Sequence, residues 1–140
     1  MTAAEVLARL AAATSVRLEV QAGAGWSGAG RGTVEAARDG AAVVVSEAGT
    51  WAPGGGRAVR WTARSRWWVA DGALAVEHHR QGVPASAVLD GTGGQWRGRA
   101  PHLCPPDAYR VALAVAPGET VVTWTVTGPR KNDRIVARYR

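Results

Sequence analysis

Residues Pro101 to Thr127 read PHLCPPDAYRVALAVAPGETVVTWTVT, and their pattern decides the fold. Val122, Trp124 and Val126 alternate with Thr123, Thr125 and Thr127, the period of a strand with one apolar and one polar face. Just ahead, Ala108 to Val115 is a second extended run. Working outward, the same period returns near the start of the chain, where Val16, Leu18 and Val20 alternate with Arg17, Glu19 and Gln21. Arg31 to Arg38 reads as a strand, and Asp39-Gly40 is a strong hairpin signal leading into Ala41 to Trp51. Val43, Val45, Glu47, Gly49 and Trp51 share one face of that strand. Arg57 to Ala70 is extended, read as two strands broken near Ser65. The Asp71-Gly72 turn leads into Ala73 to Arg80, and Val83 to Leu89 follows with Pro84 as an edge residue. Gln95 to Arg99 and Arg134 to Tyr139 complete the set.

Two stretches depart from this period. Thr2 to Ala13 reads as a short amphipathic helix: Thr2 caps it, Glu5 completes a capping box, and Val6, Leu7 and Leu10 share a face. Its expected place is one open end of the β structure. Gly23 to Gly30 carries four glycines around Trp26 and reads as a loop or flap anchored by that indole. The whole chain, 1–140, is one domain by length, mainly β, with about nine or ten short strands between tight turns. A closed or nearly closed antiparallel β-barrel is favoured over a sandwich, because closure removes adhesive edges.

Composition adds limits. A single cysteine cannot form an internal disulfide. No run approaches the roughly 18 apolar residues of a membrane span, and no basic-then-apolar leader opens the chain, so a soluble cytoplasmic protein is expected. Lys131 is the only lysine among 17 basic residues, a usage that points to a high-GC, bacterial genome. Seven Trp with no Phe do not follow from that bias, and indoles serve both to fill barrels and to line pockets. The net charge of +6 admits an anionic partner. The Arg are spread along the chain and no RNA-binding signature is present, so nucleic acid is not an expected partner.

At HLCPPDAYR and TWTVTGPRKN the chain resembles a bacterial and fungal family catalogued as a domain of unknown function. That family is marked by H-x-C-x-x-D-x-Y, here His102, Cys104, Asp107 and Tyr109, and by W-x-V-x-G-P-x-K, here Trp124, Val126, Gly128, Pro129 and Lys131. The middle is similar at Glu47, Gly49 and Trp51, then Arg60-Trp61. The front strand lacks the family's Gly-x-Trp step. The resemblance implies a calycin-like barrel, akin to lipocalins and fatty-acid-binding proteins, and brings no activity with it.

Strand geometry puts His102 with Cys104, and Asp107 with Tyr109, on shared faces. If those faces are interior, a carboxylate and a phenol share an apolar cavity and can trade protons there; Asp107, Tyr109 and His102 are therefore the candidate catalytic groups. The bland alternative has Tyr109 satisfying buried backbone and Asp107 capping the Pro105-Pro106 turn. Trp51, Trp61, Trp68, Trp124, Glu47, Arg60 and Cys104 are the expected ligand-binding residues, with an Arg suited to holding a carboxylate. Only one of each adjacent pair, Trp67/Trp68 and His78/His79, can face inward. No metal site is expected, since zinc-ligand spacing is missing. The pattern fixes no cofactor, and haem on one axial His is compatible with it. The expectation is a small-molecule-binding barrel with a Trp-lined pocket, suited to specialised metabolism. The alternatives are an isomerase, cyclase or hydrolase in that pocket, or a nucleic-acid-binding barrel. No membrane partner is expected, and pairing into a homodimer is left open.

Overall fold

The computed structural model describes residues 1–80 and 83–140. Thr2 and Glu5 exchange the two hydrogen bonds of a capping box, and helix α1 runs Ala3–Ala11. The Thr2 backbone N–H donates to the Glu5 carboxylate and holds it below its ordinary pKa. Eleven strands follow: β1 Ser15–Gln21, β2 Ser27–Asp39, β3 Ala42–Pro53, β4 Val59–Ala70, β5 Ala73–Arg80, β6 Val83–Thr92, β7 Gln95–Gly98, β8 His102–Cys104, β9 Asp107–Ala116, β10 Glu119–Thr127 and β11 Asn132–Tyr139.

All ladders are antiparallel, and β11 pairs with β1 while β9 pairs with β10, so the sheet closes on itself. β7 pairs with the later half of β9 and β8 with its beginning. The two act as one interrupted stave, giving a closed ten-stranded barrel. The β2–β3, β4–β5, β6–β7 and β9–β10 turns all lie at one end. There α1 packs against β2, β3 and β4, burying Val6, Leu7 and Leu10. The Arg9 guanidinium donates to the carbonyls of Ala116 and Glu119 at 2.7 and 3.2 Å, pinning the helix over that end. The loops 22–26, 54–58, 105–106 and 128–131 ring the opposite, uncovered end.

The structure corrects three readings of the sequence. Gly23–Gly30 is not a flap: strand β2 begins at Ser27, and Gly28, Gly30 and Gly32 occupy its inward positions. Arg57–Ala70 is not broken at Ser65, because β4 is continuous. The Ser65 hydroxyl faces inward and accepts a hydrogen bond from Trp67 Nε1 at 2.9 Å, so a polar residue is satisfied without interrupting the ladder. His102–Cys104, given strand geometry in the sequence but left out of the strand set, forms a short strand of its own. The first hairpin is also shifted by one residue, since Asp39 pairs with Ala42 and Gly40, at φ +60°, takes the first loop position.

Glycines of β2 and β3 make room for indoles. Gly30 lies opposite Trp51 and Gly49 opposite Trp61. A Cβ on Gly49 would stand 2.6 Å from the Trp61 ring and would also crowd the backbone of Arg31 and Gly32. Gly49→Val should lower the unfolding free energy by about 1–3 kcal/mol through overpacking. Ala48→Val, on the exposed outer face, should stay within about 0.5 kcal/mol. Urea denaturation of the two variants measures both.

Candidate functional site

The barrel interior has two unlike halves. Toward α1, Val43, Val45, Trp67, Leu74, Val76 and Leu113 are at most 2% exposed, a close-packed apolar plug. Toward the uncovered end, the inward residues Val20, Trp61, Ala63, Trp124 and Val126 retain 5–8%. Trp51, His78, Tyr109 and Ile135, further along the same inward faces, are half-buried. Ten strands enclose more room than the eight that side chains alone can fill. Here the small residues of β2, together with Gly49 and Ala63, face the indoles of β3 and β4, and the inward side chains are less deeply buried than those of the plug. The result is a bowl, floored by the plug and walled by indoles.

At the floor sits Glu47, 4% exposed, with Val45 below it and Gly49 above on the same face of β3. Its Oε1 accepts from Trp61 Nε1 at 3.2 Å and its Oε2 from the Tyr139 hydroxyl at 2.6 Å. Tyr139 reaches Glu47 from the last residue of β11, beside the helix. The two donors orient the carboxylate and leave lone pairs on both oxygens for a further donor. Trp124 forms one wall, with the His78 ring tilted against it at 5.5 Å between centroids. At the lip, Trp26 stacks on Trp51 at 5.8 Å, anchoring the 22–26 loop.

The structure brings together Trp51, Trp61, Trp124 and Glu47 of the sequence-expected lining. Trp68 faces outward, back to back with the buried Trp67. It lines a separate outer hollow of about 560 Å³ with His102, Leu103 and Arg99. Arg60 is outward and exposed, and Cys104 is exposed. Neither takes the interior position expected of it, because Arg60 alternates with the inward Trp61 and Cys104 sits at the rim turn.

The three expected catalytic groups do not meet over the bowl floor. Asp107 lies at the rim, with Lys131 Nζ 3.6 Å from its Oδ2. Its Oδ1 approaches Gly128 so closely that a side chain there would collide. His102 Nδ1 accepts the Ser86 backbone N–H at 3.3 Å, bridging β6 and β8 where the described residues show no backbone ladder. Pro84 lies on that same side of β6, which explains how a residue without an N–H is tolerated there. Tyr109 alone of the three packs against the core, with His102 edge-on at 6.2 Å. The break between β7 and β8 is braced by Arg99, which donates to both oxygens of Asp90 at 2.6 and 2.9 Å. Those hydrogen bonds hold the Asp90 carboxyl below its ordinary pKa.

Sequence reasoning missed Tyr139 and did not say which of His78 and His79 faces inward. The available signal was parity: Tyr139 continues the inward positions of β11, and His78 lies opposite the inward Ser65. Among the described residues, no three of His, Cys, Asp and Glu converge as metal ligands, and no helix is long and apolar enough to cross a membrane. Removing the donor in Tyr139→Phe should cost about 1–3 kcal/mol, the range for depriving a buried acceptor of its partner. Urea denaturation at neutral pH reads the loss.

No curated protein and no solved structure gives a significant match. The chain does match a family description, Family of unknown function (DUF6314), over residues 10–140. The match begins within α1 and takes in every strand, including the front strand that lacks the Gly-x-Trp step. This ten-stranded barrel therefore belongs to the DUF6314 family of unknown function.

Proposed function

We propose that the open half of the barrel binds a small, partly apolar molecule, as calycin-like barrels do. The single observation that carries this reading is the split interior. A chain able to pack Leu, Val and Trp to 2% exposure or less in one half leaves the inward side chains of the other half 5–8% exposed or half-buried, around a buried carboxylate. Proteins close-pack their cores to crystal-like density, so a less deeply buried half with oriented polar groups matches a binding site. In this reading Trp51, Trp61 and Trp124 supply apolar contact area, and Glu47 accepts a hydrogen bond from the ligand's polar end. Trp26, stacked on Trp51, covers part of the mouth.

An acid–base role for Asp107, His102 and Tyr109 has less support, because two of the three already hold rim partners. A ligand at Glu47 would touch none of the contacts that engage Asp107 and His102.

Native mass spectrometry of freshly purified protein should show a mass above that of the bare chain. Adding the extracted compound to stripped protein should quench Trp fluorescence and raise the melting temperature, by about 2.7 kcal/mol of stabilisation at 100 times Kd. Trp124→Ala and Glu47→Gln should each weaken that binding at least about tenfold, the effect of roughly 1.4 kcal/mol. Binding that both variants leave untouched would place the ligand elsewhere and end this reading.

A further inference from the structure

The arginines look scattered in the sequence, but strand register collects them. Arg138 of β11 pairs with Arg17 of β1, Arg17 with Arg31 of β2, Arg31 with Thr50 of β3, and Thr50 with Arg60 of β4. These five residues form one cross-strand row on the outer wall. The row crosses four strand spacings, about 19 Å at roughly 4.8 Å each. It holds four guanidinium groups and one hydroxyl, with no carboxylate in it.

Such a row weakens the sheet, because like charges directly opposite each other repel, and Arg17 faces an arginine on both sides. Arg138 is compensated by Glu19 and Glu119, each 3.2 Å away. Among the described residues, Arg17, Arg31 and Arg60 have no ion-pair partner, and all three are exposed. Elsewhere on the wall the chain does pair some arginines, as Arg66 with Asp39 and Arg99 with Asp90. Other exposed arginines, among them Arg64, Arg97 and Arg134, also lack an ion pair among the described residues, but none of them lies opposite another arginine in the ladders, as Arg17 does on both sides.

We infer that the row is a docking surface for the phosphate backbone of single-stranded nucleic acid. Repeating anionic groups answer a repeating line of guanidinium donors, which bind phosphate oxygens in pairs. The wall is convex, so a flexible single strand can follow it. A duplex, stiff over about 50 nm, cannot. No outward aromatic interrupts the row, so bases are not stacked along it and sequence is not read. The surface is separate from the bowl and does not depend on what the bowl holds.

The test is titration of a fluorescein-labelled 20-mer of deoxythymidine at a series of salt concentrations. Three or four phosphates neutralised by the row predict a slope of log affinity against log salt of about −2 to −3, at roughly 0.7 per contact. Arg17→Ala with Arg31→Ala should make that slope shallower by about 1.4, and Arg60→Ala added to them by about 0.7 more. Arg17→Lys with Arg31→Lys, which keeps the charge, should retain the parent slope, as should Arg66→Ala off the row. Circular dichroism checks that each variant is folded. The inference is overturned by absence of binding at low salt, or by a slope the double alanine variant leaves unchanged. It also falls if vesicles of anionic phospholipid, or a duplex of equal length, bind more tightly than the single strand.

Discussion

Closure is the constraint on which everything else rests. Once β11 meets β1 and β9 meets β10, every second side chain of each strand must point into a shared interior. A ten-strand circumference encloses more volume than aliphatic residues at those positions fill. The chain resolves the excess from one end only. Helix α1, locked by its capping box and by Arg9 on the β9–β10 turn, brings Val6, Leu7 and Leu10 down onto one rim. Leucines and valines of β3, β5 and β9 complete the packing beneath it. At the other rim the chain places glycines opposite indoles, and the inward side chains there are less deeply buried.

Glu47 marks the boundary between these halves. A buried carboxylate is costly unless its oxygens are hydrogen-bonded. Trp61 from above and Tyr139 from below meet that requirement with donors contributed by strands far apart in the chain. The rim motif around Asp107 works differently. Its ion pair with Lys131 and the bare backbone of Gly128 beneath it tie the β8–β9 turn to the β10–β11 loop. Asp107, Gly128 and Lys131 thus hold the open end in shape, which is what a bowl with a defined mouth requires.

Much of the fold was legible because strand period and turn chemistry are local. The Val122–Thr127 alternation, the Asp71-Gly72 turn and the Thr2/Glu5 box each read correctly from neighbouring residues. What failed was non-local. Gly28 and Gly30 read as loop because nothing nearby reveals that Trp51, more than 20 residues later, lies across them. Ser65 read as a break because its partner, the Trp67 indole, satisfies it only once the side chains are in place. The same limit applied to the site. Trp51, Trp61, Trp124 and Glu47 were visible as inward residues of regular strands. Tyr139 was hidden because its contact spans the whole barrel, and Cys104 was misplaced because it ends the three-residue strand β8 at the rim, where a side chain stays exposed. The arginine row is the extreme case, since its five members come from five strands and only register aligns them.

A crystal structure resolving ordered water would test the division of the interior most directly. The account predicts density, whether a chain of waters or a bound molecule, running from the mouth beside Trp51 down to the Glu47 carboxylate, and none among Val43, Leu74 and Leu113. Side chains packed solidly across the upper half, with Glu47 sealed away from any non-protein density, would contradict it.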